Sequence, residues 1–208
     1  MRALLLDFNG TLSEDEPLLC RIFQELFTEL GKPLTEEEYY DRLAGLSDRE
    51  LVRVWLGRDD PEIVERKIAR YRELADGSTV SQEARHAVFE AARQLDVAVV
   101  SGSARSEIEP VLAAAGLTDA IAVIVSSDDI ARSKPDPEGY LVALRILGVE
   151  AADAAAVEDS EAGVAAAKAA ELHCVAVRTT MPAERLSAAD EVVDRFDRDL
   201  ISRLVSSA

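Results

Sequence analysis

Aromatic residues are scarce in this chain. They make up 5% of 208 residues, with one Trp, four Tyr and five Phe. So thin a supply cannot build a stacking platform for single-stranded nucleic acid. Basic residues are outnumbered as well: 23 Lys and Arg against 40 Asp and Glu leave a formal charge of −17 and an isoelectric point near 4.5. Such a surface repels a phosphate backbone or an anionic bilayer, so neither nucleic acid nor membrane is an expected partner. A small anion is still admissible where a few cations or a metal ion focus the field. Cysteine is limited to Cys20 and Cys174, without metal-type spacing; both read as small buried hydrophobes in a reduced compartment. No apolar run approaches the ~18 residues of a membrane span. The run after Met1 meets Asp7 too soon for a secretory signal, which makes the expected location cytoplasmic.

What is present is ordinary for a globular protein: 48% hydrophobic and 30% charged residues, in a length that suits one domain or one domain with a modest insert. Short apolar runs at 3–6, 97–100, 121–125, 154–157 and 173–177 read as strands. Helical patterns at 106–115, 138–147 and 163–170 lie between them. This alternation predicts an α/β fold with a doubly wound parallel sheet. The alanine-rich stretch 151–170 is interrupted by Glu158, Asp159, Ser160 and Gly163, so it reads as strand, loop and helix.

One region breaks the alternation. Leu18, Leu19, Ile22, Phe23, Leu26, Phe27 and Leu30 fall at helical spacing and end at Gly31 and Pro33. Thr35 and Glu38 form a capping-box pattern, and helices follow at 50–56 and 61–74. The expectation is an all-helical cap over residues 14–79, inserted into a core of residues 1–13 and 80–208. Trp55 belongs by spacing with Leu51 and Val52 in the packing of that cap.

In open parallel sheets, ligands bind at the carboxyl ends of the strands. There the chain places Asp7, Asn9, Gly10 and Thr11 after the first strand and Ser101, Gly102 and Ser103 after the second. Lys134 follows the third, and Glu158 and Asp159 the fourth. Three carboxylates at one rim repel one another unless protons or a cation intervene. All-oxygen ligands favour Mg²⁺, which keeps waters and bridges to a substrate phosphate. Lys134 supplies a point charge for that phosphate, and the N–H groups of Gly10 and Gly102 are expected to be open to it. The deduced site is a magnesium–phosphate site.

In this order the motifs resemble those of the haloacid dehalogenase superfamily, in its β-phosphoglucomutase-like branch, and the likeness covers nearly the whole chain. Asp-x-x-Gly-Thr alone recurs by chance roughly once per 8,000 positions; four motifs in order, with a cap in the right gap, are far more specific. The resemblance implies a Rossmann-like core and a phosphatase acting on a small phosphorylated metabolite. Asp7 would be the nucleophile that forms an aspartyl-phosphate, and Ser101 and Lys134 would bind the transferring group. Asp7, the Asn9 carbonyl, Glu158 and Asp159 would hold Mg²⁺. The cap loop Gly45-Leu46-Ser47-Asp48-Arg49 would recognise the substrate, with Arg49 its candidate ligand.

Asn9 departs from the family pattern, in which a second Asp serves as acid and base. An amide cannot move a proton at neutral pH, and a positioned acid–base is worth about 10²–10⁴ in rate. Three readings stay open. One is a phosphohydrolase that is slowed or restricted to good leaving groups, with Glu14, Asp15 or Glu16 as a surrogate acid; a phosphomutase is a variant of it. The second is a non-catalytic phosphate-binding or regulatory protein, and the third an Asp→Asn substitution made to trap a complex. The run Glu14-Asp15-Glu16 otherwise reads as a solvated hinge, and His86 and His173 as surface or sheet-edge residues.

Overall fold

A computed structural model describes residues 1–206. The chain opens with strand β1 (Ala3–Leu6), whose four residues are all apolar and buried. Four helices follow without a strand: α1 (Glu16–Glu29), α2 (Glu36–Arg42), α3 (Asp48–Leu56) and α4 (Pro61–Leu74). A short 3-10 turn at Gly77–Thr79 leads to α5 (Gln82–Ala92) and back to the sheet at β2 (Asp96–Val100). Then come α6 (Arg105–Ala114), β3 (Val123–Val125), α7 (Glu138–Leu147), β4 (Ala154–Glu158), α8 (Glu161–Ala169), β5 (His173–Val177), β6 (Glu191–Val193) and α9 (Arg198–Ser206).

The six strands form one parallel sheet in the order β3-β2-β1-β4-β5-β6. The chain winds outward from β1 to β3, then returns to β4 on the other side of β1 and winds the opposite way. Right-handed crossovers in opposite directions put α5 and α6 on one face and α7 and α8 on the other. α9 packs on α5, and α7 on α8. Both faces of the central strands are therefore covered, which is why β1, and β4 as far as Val157, are continuously apolar rather than alternating. The winding reverses between β1 and β4, so a crevice opens at the carboxyl ends of those two strands.

The helical insertion has its own packing. Phe23, Phe27 and Trp55 stack along one seam, with centroids 5.6 and 6.1 Å apart. Trp55 Nε1 donates to the Lys32 carbonyl at 3.0 Å, placing it within the cap as its spacing predicts. Thr35 and Glu38 close the capping box. Cys20 and Cys174 are buried and free, and His86 and His173 are exposed. Among the described residues no helix is long and apolar enough to cross a membrane. Three elements go beyond the expected pattern, namely α5, β6 and α9, and the strand anticipated at 121–125 begins only at Val123.

Candidate active site

Each strand that borders the crevice delivers its next residues to one place. Asp7 follows β1 directly, its N–H donating to the Val157 carbonyl at 3.0 Å. Glu158 is the last residue of β4 and Asp159 the next. One carboxylate oxygen from each of Asp7, Glu158 and Asp159 lies within 4.8 Å of the others. Lys134, from the loop before α7, reaches in to Asp7 Oδ1 at 2.5 Å, Glu158 Oε1 at 2.6 Å and the Val100 carbonyl at 3.0 Å. Tyr140 on α7 also donates to Glu158 Oε1, at 2.5 Å.

Glycine makes this convergence possible. A Cβ on Gly163 would lie 1.8 Å from Glu158 Oε2, so α8 can approach that carboxylate only with glycine there. Gly10 has φ of +76°, and a Cβ on it would lie 1.9 Å from Asp159 Oδ2. Its amide is not open to a ligand, contrary to expectation: it donates to the Ser13 carbonyl at 2.7 Å. The contribution of Gly10 is room for Asp159. That carboxylate in turn accepts from Thr180 Oγ1.

The electrostatics follow from burial. Desolvation raises Asp7, with Lys134 opposing it, and raises Glu158 to about 7 against the same lysine. Asp159 is pushed well above the usual carboxylate range by burial and by the charges of Asp7, Glu16 and Glu158. Burial disfavours the charge on Lys134, but Asp7 and Glu158 outweigh it and hold the ammonium above its ordinary value. One cation thus faces three acids. Glu158 Oε2 is buried and has no hydrogen-bond partner among the described residues. An orphaned carboxylate oxygen in an all-oxygen cluster fits a hard divalent cation such as Mg²⁺.

These groups line a pocket of about 60 Å³, bordered on one side by residues of the helical insertion. Asp7, Asn9, Ser101, Gly102, Lys134 and Asp159 all border it, and the cap contributes Glu16, Ser47 and Asp48. At roughly 10–15 Å³ of such space for one water, it has room for a phosphoryl group. An adjoining cleft of about 890 Å³ shares Ser47 and Ser133 with it and contains Arg49. Arg49 therefore stands beside the pocket rather than in it. Gly102 lies against the cap, a Cβ there being 3.6 Å from Ser47.

The hinge is not the solvated run that its composition predicts. Glu14 is exposed, but Asp15 and Glu16 are buried. Asp15 accepts from Ser13 Oγ at 2.8 Å, from Tyr71 OH and from Asn9 Nδ2 at 3.0 Å. Asn9 Oδ1 accepts from Ser103 Oγ at 2.6 Å, so both ends of the amide are held. Lys67 of α4 is fully buried between Asp48 at 2.9 Å and Glu107 at 2.7 Å, joining α4 to the core helix α6. Lys67 was legible as a charge on the apolar stripe Ile63-Lys67-Tyr71 of α4, though its partners were not.

Residues 4–177 match the haloacid dehalogenase-like hydrolase family. The validoxylamine A 7'-phosphate phosphatase of Streptomyces hygroscopicus subsp. limoneus is 31% identical over 195 residues, covering 91% of each chain. An Asp→Asn variant of CbbY from Rhodobacter sphaeroides, crystallised with xylulose-(1,5)bisphosphate, superposes with a TM-score of 0.83 at 30% identity, covering 94% of this chain and 95% of that one. The β-phosphoglucomutase of Clostridium difficile superposes with a TM-score of 0.86 over 100% of this chain and 96% of that one. At 20% identity it speaks for the fold alone.

Proposed function

Because the chain belongs to the haloacid dehalogenase-like hydrolases and is a phosphatase of that family, we propose that it hydrolyses a small phosphorylated, sugar-like metabolite through an aspartyl-phosphate on Asp7. The observation that carries this reading is Lys134 set against Asp7 and Glu158 beside a third carboxylate, at the bottom of a phosphoryl-sized pocket. Relatives acting on or binding sugar-like phosphates support the substrate class.

In this mechanism Asp7, paired with Lys134, attacks phosphorus as its carboxylate and needs no base. Lys134 and the Ser101 hydroxyl neutralise and orient the transferring group, a role that needs preformed donors in a water-poor site. Gly102 presents its backbone to the same phosphoryl group where the core meets the cap. Asp7, the Asn9 carbonyl, Glu158 and Asp159 would hold Mg²⁺, which when bound supplies charge neutralisation for the phosphoryl oxygens. Residues 14–79 act as the cap over a core of 1–13 and 80–208, excluding bulk water. Arg49 meets the leaving group in the adjoining cleft. Asn9 restricts the enzyme, because its amide is held on both sides and moves no proton. Two buried free thiols and the acidic surface favour a cytoplasmic setting, without nucleic acid or membrane as partner.

The test is phosphate release from acetyl phosphate and from a hexose phosphate, with and without Mg²⁺, using Asp7→Asn as the blank. Mg²⁺-dependent release above the blank is expected, faster from the acyl phosphate. Release by neither substrate, with phosphate still raising the melting temperature, would move the chain to the binding-protein reading.

A further inference from the structure

With Asn9 in place, hydrolysis of an alkyl phosphate lacks its usual proton carrier, and three hinge acids could replace it. Glu14 is exposed and does not border the pocket. Asp15 does not border it either, and is engaged by Tyr71, Ser13 and Asn9. Glu16 does border it, in company with Asp7, Asn9 and Lys134. Its side chain is buried, and its one hydrogen bond is from Tyr39 OH to Oε1 at 2.8 Å. Among the described residues Oε2 has no partner, it is not fully enclosed, and Glu16 lines the pocket.

Resting on the phosphatase reading above, we infer that Glu16 is the catalytic acid and base of this site, replacing the carboxylate that Asn9 lacks. In the first step an Asp7 oxygen bonds to phosphorus as the ester P–O bond breaks. The departing alkoxide takes the proton of Glu16 and leaves as an alcohol. In the second, Glu16 carboxylate takes a proton from water as the water oxygen attacks the phosphoryl group. The P–O bond to Asp7 breaks, and free phosphate, Asp7 carboxylate and protonated Glu16 result.

The protonation state suits both steps. Burial lifts the Glu16 carboxyl to about 7, with Tyr39 lowering it, Asp15 and Asp7 raising it and Lys67 lowering it. Asp159 also faces it from the core, Cys20 from its own helix and Tyr40 from α2. A proton carrier works best near neutrality.

The test compares the parent with Glu16→Gln, which keeps the volume and an acceptor for Tyr39. On a hexose phosphate with Mg²⁺, kcat is expected to fall about 10²–10⁴-fold. With acetyl phosphate, whose leaving group needs no acid, Glu16→Gln is expected to accumulate a hydroxylamine-labile phosphoenzyme, because only the water step is slowed. A residue that merely positioned substrate would raise KM alone and accumulate nothing. Tyr39→Phe is the second variant. It removes a bond that favours the carboxylate, so the alkaline limb of kcat should move to higher pH with the rate retained below it. Unchanged kcat in Glu16→Gln with an active parent overturns the assignment, as does loss on both substrates without a phosphoenzyme in folded protein. A parent that releases no phosphate from either substrate overturns instead the phosphatase reading on which this rests.

Discussion

At the carboxyl edge of the sheet, Asp7, Glu158 and Asp159 converge on Lys134; at the start of α1, Asp15 and Glu16 are adjacent in sequence but are taken up by different tyrosines. Both groups are buried, and burial raises the carboxyls in both. They differ in what compensates. Each group has one orphaned carboxylate oxygen among the described residues, Glu158 Oε2 in the core and Asp15 Oδ1 at the hinge; the core group sets one ammonium against three acids within 4.8 Å, so it is short of positive charge. The hinge group has neutral hydroxyl and amide donors, which tolerate a proton on the acid. One is arranged to gather a cation and a phosphoryl group, the other to keep a proton near neutral pH. Burial alone distinguishes neither; the partners do.

The sharpest way to break this contrast is to remove the core cation. Lys134→Met should cost about 3–5 kcal/mol without Mg²⁺, since it strands two buried carboxylates. Denaturant unfolding measures the loss, and a cost no larger than that of an exposed lysine contradicts the view that Lys134 holds the cluster together.

Next in size is the pH response of the hinge. Asp15 sits at about 6 and Glu16 at about 7 in the fold, against ordinary values of 3.8 and 4.5. The folded state therefore binds protons that the unfolded chain has released. The stability this provides is complete below about pH 4 and disappears as pH rises through 6 to 7. Metal-free protein should be less stable at pH 8 than at pH 5, by about 1 kcal/mol from Asp15, which has already lost half of its contribution at pH 5, and by about 2–3 kcal/mol from Glu16. Glu16→Gln should flatten part of that fall. A fall that is identical in Glu16→Gln would mean the carboxyl is not held up by the fold.

Magnesium then separates the two groups. Saturating Mg²⁺ at about 100 times Kd should add about 2.7 kcal/mol, and Asp159→Asn should remove most of that gain while Asp15→Asn should not. Equal effects of the two variants would erase the distinction drawn here. The smallest expected change comes from outside both groups. Arg49→Ala should raise KM by no more than about tenfold, or about 1.4 kcal/mol, with kcat and stability unaffected, because Arg49 lies exposed in the adjoining cleft.

The core half of this comparison was legible in the chain because its residues are fixed by strand ends. Once 3–6 and 154–157 read as buried strands, Asp7, Glu158 and Asp159 had to fall at one rim. β6 escaped because Glu191–Val193 is a three-residue edge strand, half-buried on both sides, with too little pattern to register. α5 buries mainly alanines, Ala84, Ala87 and Ala91, which mark a face weakly. The hinge was misjudged for a different reason. Three consecutive acids imply solvent, and what buries two of them is Tyr39, 23 positions on from Glu16, and Tyr71, 56 positions on from Asp15. Local composition carries no trace of either partner. Gly10 likewise could be recognised as necessary, but whether its amide or its missing Cβ mattered was decided only by Asp159 closing on it.

The measurement that most directly tests the account is a search for the covalent intermediate. The protein is mixed with acetyl phosphate and Mg²⁺, quenched in acid within its first turnovers, digested and analysed by peptide mass spectrometry. A phosphoryl group on the peptide carrying Asp7, removed by hydroxylamine and absent from Asp7→Asn, is the predicted result. Steady phosphate release with no modification of that peptide in either the parent or Glu16→Gln would contradict an aspartyl-phosphate route through this site.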